Sequence, residues 1–164
     1  MSSAVISDCG KFRYRLERHA LLGAGAVAWI MVNPSTADAS HDDATIRKVI
    51  GFSERLGAGW MIVGNKFAYR ATDIKALRTA QDPLGPENDR HLRDIMSAAP
   101  TVIFAWGPLA KLPPALRNRW KEIANLADEI GCTPMCLGTT QDGQPRHPLM
   151  LAYSTPLTPW RRPS

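Results

Sequence analysis

The sequence is short of cysteine, holds no long apolar run and has no strong excess of one charge. Cysteine occurs three times in 164 residues, at Cys9, Cys132 and Cys136. A sparse, odd set excludes a disulfide framework. Three thiols also fall short of the four that hold an iron–sulfur cluster. Cys132 and Cys136 would ligate zinc only with distant partners, so buried free thiols are expected. No apolar stretch reaches the length of a membrane span, and no membrane partner is expected. Met1 to Val5 has neither a charged region nor a long apolar segment, so no secretory signal is read there. The expected location is therefore cytoplasmic. No internal repeat is visible, and no linker is long enough to separate two domains. A single domain over residues 1–164 is expected. The net charge of +5 permits attraction to polyanions such as DNA without requiring it.

What the chain does have is a buried hydrophobic run, Ala28-Trp29-Ile30-Met31-Val32, that stops abruptly at Asn33-Pro34-Ser35. Proline removes a backbone donor and biases its predecessor away from helix. A strand should end at Val32, with the Asn33 amide at its carboxyl edge. In parallel α/β sheets that edge is where ligands bind.

The rest of the chain alternates strand and helix patterns. Phe12 to Arg18 has the period of a half-exposed strand, whose basic outer face is read as solvated, with phosphate contact as the alternative. Ile46, Val49, Ile50 and Leu56 mark a helix that Asp42 or Asp43 can cap and Gly57 and Gly59 can end. A second strand, Trp60 to Val63, runs into Gly64-Asn65. Leu92, Ile95, Met96 and Ala99 mark a short helix capped by Asn88 or Asp89. A third strand, Thr101 to Ala105, runs into Trp106-Gly107. The longest helix should start at Pro113-Pro114, with Leu116, Trp120, Ile123, Ala127 and Ile130 on one face and Arg117, Arg119 and Lys121 on the other. Met135 to Leu137 is a short last strand. This order predicts an α/β fold with a mainly parallel central sheet covered on both faces, a three-layer α/β/α sandwich. Right-handed crossovers then bring Asn33, Asn65, Trp106 and the segment around His147 to one rim.

Two carboxamides, an imidazole and aromatic faces suit a planar, amide-containing group such as a nucleobase. Asn33 can orient a water. Asn65 can pair with a base edge. His147 can donate to negative charge developing on a leaving base. Phe52, Phe67 or Trp106 can stack on it. Asp38 or Asp43, near Asn33, can supply the general base that an amide is not. Each has a plainer reading: asparagine before proline forms turns, and Asp43 can simply cap a helix. The acids around Asp42 lack a second group at helical spacing, so no metal site and no cofactor are expected.

The order of these motifs resembles the uracil-DNA glycosylase superfamily. Met31-Val32-Asn33-Pro34-Ser35 is similar to its first motif, Gly-x-Asn-Pro-Gly, which positions the attacking water. Ile62-Val63-Gly64-Asn65 is similar to the strand whose asparagine reads uracil, and Val102 to Lys111 to the strand ending in Trp-Gly. Arg146-His147-Pro148-Leu149-Met150 resembles in part the motif that carries the catalytic histidine and a minor-groove wedge. Leu149-Met150 replaces the family's Ser-Pro there. The chain also resembles a family of uncharacterised bacterial proteins sharing Asn-Pro-Ser-Thr-Ala-Asp, Phe-Ala-Tyr-Arg-Ala-Thr and Pro-Arg-His-Pro-Leu. The first resemblance implies a uracil-DNA glycosylase-like domain that removes uracil or a related damaged base from DNA as a monomer. In that picture Phe52, Asn65 and Trp106 hold the base, and Asn33, His147, Asp38 and Asp43 do the chemistry. Ser35, Lys111, Arg146 and Leu149 meet the DNA. The alternative is a nucleotide- or modified-base-binding protein of the same fold that lacks glycosylase activity. Asp42, Asp43, Tyr69 and Arg70 have no counterpart in the superfamily motifs.

Overall fold

The computed structural model describes residues 2–164. Its elements in chain order are β1 (Ser3–Ile6), β2 (Arg13–Arg18), β3 (Ala26–Met31), α1 (Ala44–Arg55), β4 (Trp60–Asn65), α2 (Asn88–Ala98), β5 (Thr101–Phe104), α3 (Arg119–Glu129), β6 (Met135–Cys136) and β7 (Thr158–Pro159). Single 3-10 turns lie at Ile74–Arg78, Leu109–Lys111 and Pro114–Leu116. The strands form one seven-stranded mixed sheet in the order β1-β2-β4-β3-β5-β6-β7. The inner four are parallel, and β1, β2 and β7 are antiparallel additions at the edges.

The parallel strands read as unbroken apolar runs because both their faces are covered. Alternate side chains feed two cores. Ala28, Ile30, Ile62, Val102 and Phe104 pack with Leu92, Ile95 and Met96 of α2 and Trp120, Ile123 and Ala127 of α3. Val27, Trp29, Met31, Met61, Val63 and Ile103 pack with Ile46, Val49 and Phe52 of α1. The core indole Nε1 of Trp29 donates to Ser53 Oγ at 2.9 Å, so the buried polar atom keeps a partner.

Helix α1 starts where the sequence predicts. Asp43 caps it, its Oδ1 accepting from Ile46 N at 2.9 Å. Gly57, at φ +81°, ends it. Helix α3 differs from expectation. Pro113-Pro114 opens a 3-10 turn instead of the helix, which begins five residues later at Arg119 and is shorter than α1. Arg119 is buried rather than on the outer face: its Nε donates to Lys66 O at 2.9 Å, and its other nitrogens meet Asp89 and Glu122. Asn88 does not cap α2 through its side chain. Its Nδ2 donates to Asn65 O at 2.9 Å and Lys66 O at 3.1 Å. Of the three thiols, which are free, only Cys136 is buried, and Cys9 is exposed. Among the described residues no helix is long and apolar enough to cross a membrane.

Candidate functional site

Strand register brings the predicted rim together. Met31 pairs with Asn65, and Ile30 pairs with Phe104. Asn33 and Trp106 each lie two residues beyond those pairs, so both project past the carboxyl ends of neighbouring strands. The chain leaves β3 for β4 on one side, then crosses back to β5 on the other. That reversal opens a crevice at the end of β3. A cleft of about 920 Å³ lies there. Asn33, Asn65, Trp106 and His147 all line it, as do Ser35, Asp43, Lys111, Arg146 and Leu149.

His147 enters from the far end of the chain. Gly107, beside it, sits at φ +80°, a backbone conformation that favours glycine, and a Cβ there would be in van der Waals contact with the His147 Cβ at 3.4 Å. The Gly107 N–H donates to Pro145 O at 2.8 Å, which fastens the two segments together. The backbone N–H of Leu149 donates to His147 Nδ1 at 3.3 Å. Nδ1 is thus the acceptor, and the ring proton belongs on Nε2. Burial, with Lys111 adding like charge, pushes the His147 pKa down to about 4. At neutral pH the ring is an uncharged donor.

Asn33 has both plain and functional features. Its Nδ2 donates to Pro34 O at 3.0 Å and to Ala71 O at 2.9 Å. The side chain therefore ties down the loop that carries Ala71, Thr72 and Asp73, which line the opposite wall. Only Oδ1 remains to meet a ligand, as an acceptor. Asn65 is buried, and its Nδ2 has no hydrogen-bond partner. Trp106 is fixed by its Nε1, which donates to the buried Gln144 Oε1 at 2.8 Å.

Three expected site residues are elsewhere. Phe52 does not line the cleft. It is buried in the α1 core against Trp29 and Tyr153, because it belongs to the helix's inward face. Phe67 is likewise fully buried, in a small cluster with Leu77 and Leu112. Asp38 is not a wall residue either. Its carboxylate is occupied by the Ser40 and His41 backbone N–H groups and by the His41 ring, which hold its pKa down at about 2. Asp43 does line the cleft, but Oδ1 caps α1 and Oδ2 accepts from Ala37 N at 3.4 Å.

Arg13 and Lys66 are the charged residues that sequence pattern misses. Arg13 was expected on a solvated face, yet it is 2% exposed and lines the cleft. Its Nη1 donates to Ala37 O at 2.9 Å, beneath the turn leading to α1. Lys66 is wholly buried, its Nζ unpartnered, 5.0 Å from the centre of the Trp106 ring. Burial, then Arg119, pushes its pKa down to about 7. Period-2 alternation assigns faces and says nothing of a loop that later folds over one of them.

The fold and the cleft define an α/β protein with a mostly apolar cleft, carrying a few polar and basic side chains, at the switch point of a mixed sheet. Residues 13–149 match the family described as Protein of unknown function (DUF1643), and the chain belongs to that family. No curated protein and no solved structure matches it.

Proposed function

We propose that the protein is a DNA glycosylase of the uracil-DNA glycosylase-like, three-layer α/β/α class, acting as a cytoplasmic monomer on uracil or a related damaged base. The observation that carries this reading is the gathering of Asn33, Asn65, Trp106 and a neutral His147 around one cleft. The target base leaves the stack and enters the cleft. Trp106, though packed against Phe104 and Trp160, is part of the wall the base meets, and Asn65 Nδ2 offers a donor that has no partner within the protein. As the bond from C1′ to the base nitrogen breaks, negative charge spreads onto the base carbonyls. The Nε2–H of His147 donates to that charge without having to lose a proton. A water accepted by Asn33 Oδ1 adds to C1′. Its proton passes to a cleft carboxylate, Asp43 being the expected candidate that faces the site. Lys111, Arg146, Ser35 and Leu149, also at the cleft, are the contacts for the strand. No cofactor enters this scheme.

One observation favours the second reading, a nucleotide- or modified-base-binding protein without base release. Both Asp43 oxygens already accept from backbone N–H groups, so neither is left free to take the water's proton. The test is a panel of oligonucleotides, each with one deaminated or damaged base, incubated with protein and then alkali. Strand cleavage is expected with at least one lesion, falling about 100- to 1000-fold for His147→Ala. No cleavage with any lesion, together with salt-dependent binding, gives the second reading.

A further inference from the structure

Three arginines are buried: Arg13, Arg18 and Arg119. Arg18 pairs with Asp42 at 2.8 Å, and Arg119 with Asp89 and Glu122. Arg13 alone of the three has no carboxylate within ion-pair distance among the described residues. Its Nε also lacks any hydrogen-bond partner. A buried unpaired charge is costly. Lysine can escape that cost by losing its proton, as Lys66 does. Arginine does not. Asp43 and Asp38 are near enough to act on its charge, but neither reaches the guanidinium as an ion pair, which leaves a place for an anion from outside the chain.

The surroundings say what kind. Arg13 lies in the cleft wall beside the first turn of α1, where Thr45 and Ile46 also face the cavity, with Ser35 and Thr36 from the preceding turn. The first turn of a 12-residue helix directs free N–H groups outward. Asp43 faces the same space, with both oxygens already accepting from the backbone. It offsets part of the positive field.

We propose that Arg13, the α1 N-terminus and the hydroxyls of Ser35, Thr36 and Thr45 form a phosphate subsite. It holds the phosphate of the nucleotide whose base lies against Trp106 and Asn65. The proposal rests on the reading of the cleft as a nucleotide site and adds a second anchor to it. The phosphate belongs either to a free nucleotide or to a nucleic acid strand.

The test uses probes with no base to release at the bound sugar, so that it does not depend on base release. Binding to the full-length protein is measured by calorimetry with deoxyribose, deoxyribose 5-phosphate and a short single-stranded oligonucleotide carrying a tetrahydrofuran abasic analogue. At least one phosphate-bearing probe should bind, and deoxyribose should not. Binding of the sugar phosphate assigns the subsite to free nucleotides; binding of the strand alone assigns it to nucleic acid. Arg13→Met should weaken the bound probe about 10- to 100-fold, the loss for one charge-assisted contact. The same variant without ligand should be at least as heat-stable as the parent. If Arg13→Met does not fold, Arg13→Lys is read instead, and a several-fold loss is expected because the planar fork is gone. No binding of either phosphate-bearing probe, or parental affinity in the variant, overturns the subsite. Lack of base release from damaged DNA with phosphate binding intact overturns only the glycosylase reading.

Discussion

His147 has its tautomer set by one backbone N–H and its charge state set by burial. Both can be tested at this single residue. A donor that must be neutral works at any pH above its own pKa of about 4. Base release should therefore stay flat from about pH 8 to 5 and fall only as pH approaches 4, measured as kcat/KM on the preferred lesion. A histidine that had to be protonated would give the reverse, with activity rising toward acid. Asn33 supports a second prediction. Its two amide hydrogens hold the carbonyls of Pro34 and Ala71. Asn33→Asp would set a carboxylate against both carbonyls, so it should cost more stability than Asn33→Ala, which should itself cost about 1–3 kcal/mol. Urea unfolding of the two variants gives the order. An aspartate variant as stable and active as the parent would mean that the tie to Ala71 does not matter.

At the scale of elements, the carboxyl end of β4 is fastened by two helices. Its last carbonyl, Asn65 O, and the next, Lys66 O, receive Asn88 Nδ2 from α2; Lys66 O also receives Arg119 Nε from α3. Two helices thus fix the backbone on which Asn65, the proposed reader of the base, is mounted. Asn88→Ala should cost about 1–3 kcal/mol, because two buried carbonyls lose a donor. It should also raise KM more than it lowers kcat, since the amide that reads the base loses its orientation. A stability loss with KM unchanged would make Asn88 a purely structural residue. None of this was visible in the helix patterns. Periodicity marked Leu92, Ile95 and Met96 correctly as the inward face of α2. It also placed Arg119 outward, because arginine is usually a surface residue. A buried arginine is recognised only once its carboxylates, here 30 and 3 residues away, are known.

Across the whole molecule, the parallel centre of the sheet was legible because its strands are unbroken apolar runs separated by capped helices. The rim followed from it: Asn33, Asn65 and Trp106 each sit at the end of such a run. The edge strands were not legible. β1 spans four residues and β7 two, and β7 is wholly exposed, so neither is long enough to show a period. Phe52 was misplaced because it shares the inward face of α1 with Ile46 and Val49, where it meets Trp29. Arg13 was the largest miss, because its burial comes from a loop closing over a strand and not from the strand.

Buried titrating groups also give the molecule a common slope of stability with pH. His147 has its pKa depressed from 6.5 to about 4, so the folded state resists a proton that the unfolded chain accepts. Its contribution is full above 6.5 and is lost as pH falls toward 4. Lys66 has its pKa depressed from 10.5 to about 7. Below 7 both states are protonated and the full cost of burying the ammonium is borne. Between 7 and 10.5 the folded state has shed a proton that the unfolded chain still holds, so stability rises with pH. Tyr14, whose phenol burial pushes up from 10.0, opposes this only near and above that value. Stability should therefore climb from pH 4 to 6.5 and again from about pH 7 to 10, in urea unfolding at a series of pH values. Lys66→Met should remove the second climb and raise stability at pH 7 by about 1–3 kcal/mol, since an apolar chain of similar length replaces an unpartnered buried amine between Phe67 and Trp106. A second climb that survives in Lys66→Met would assign it to another group and leave Lys66 without a measurable cost to the fold.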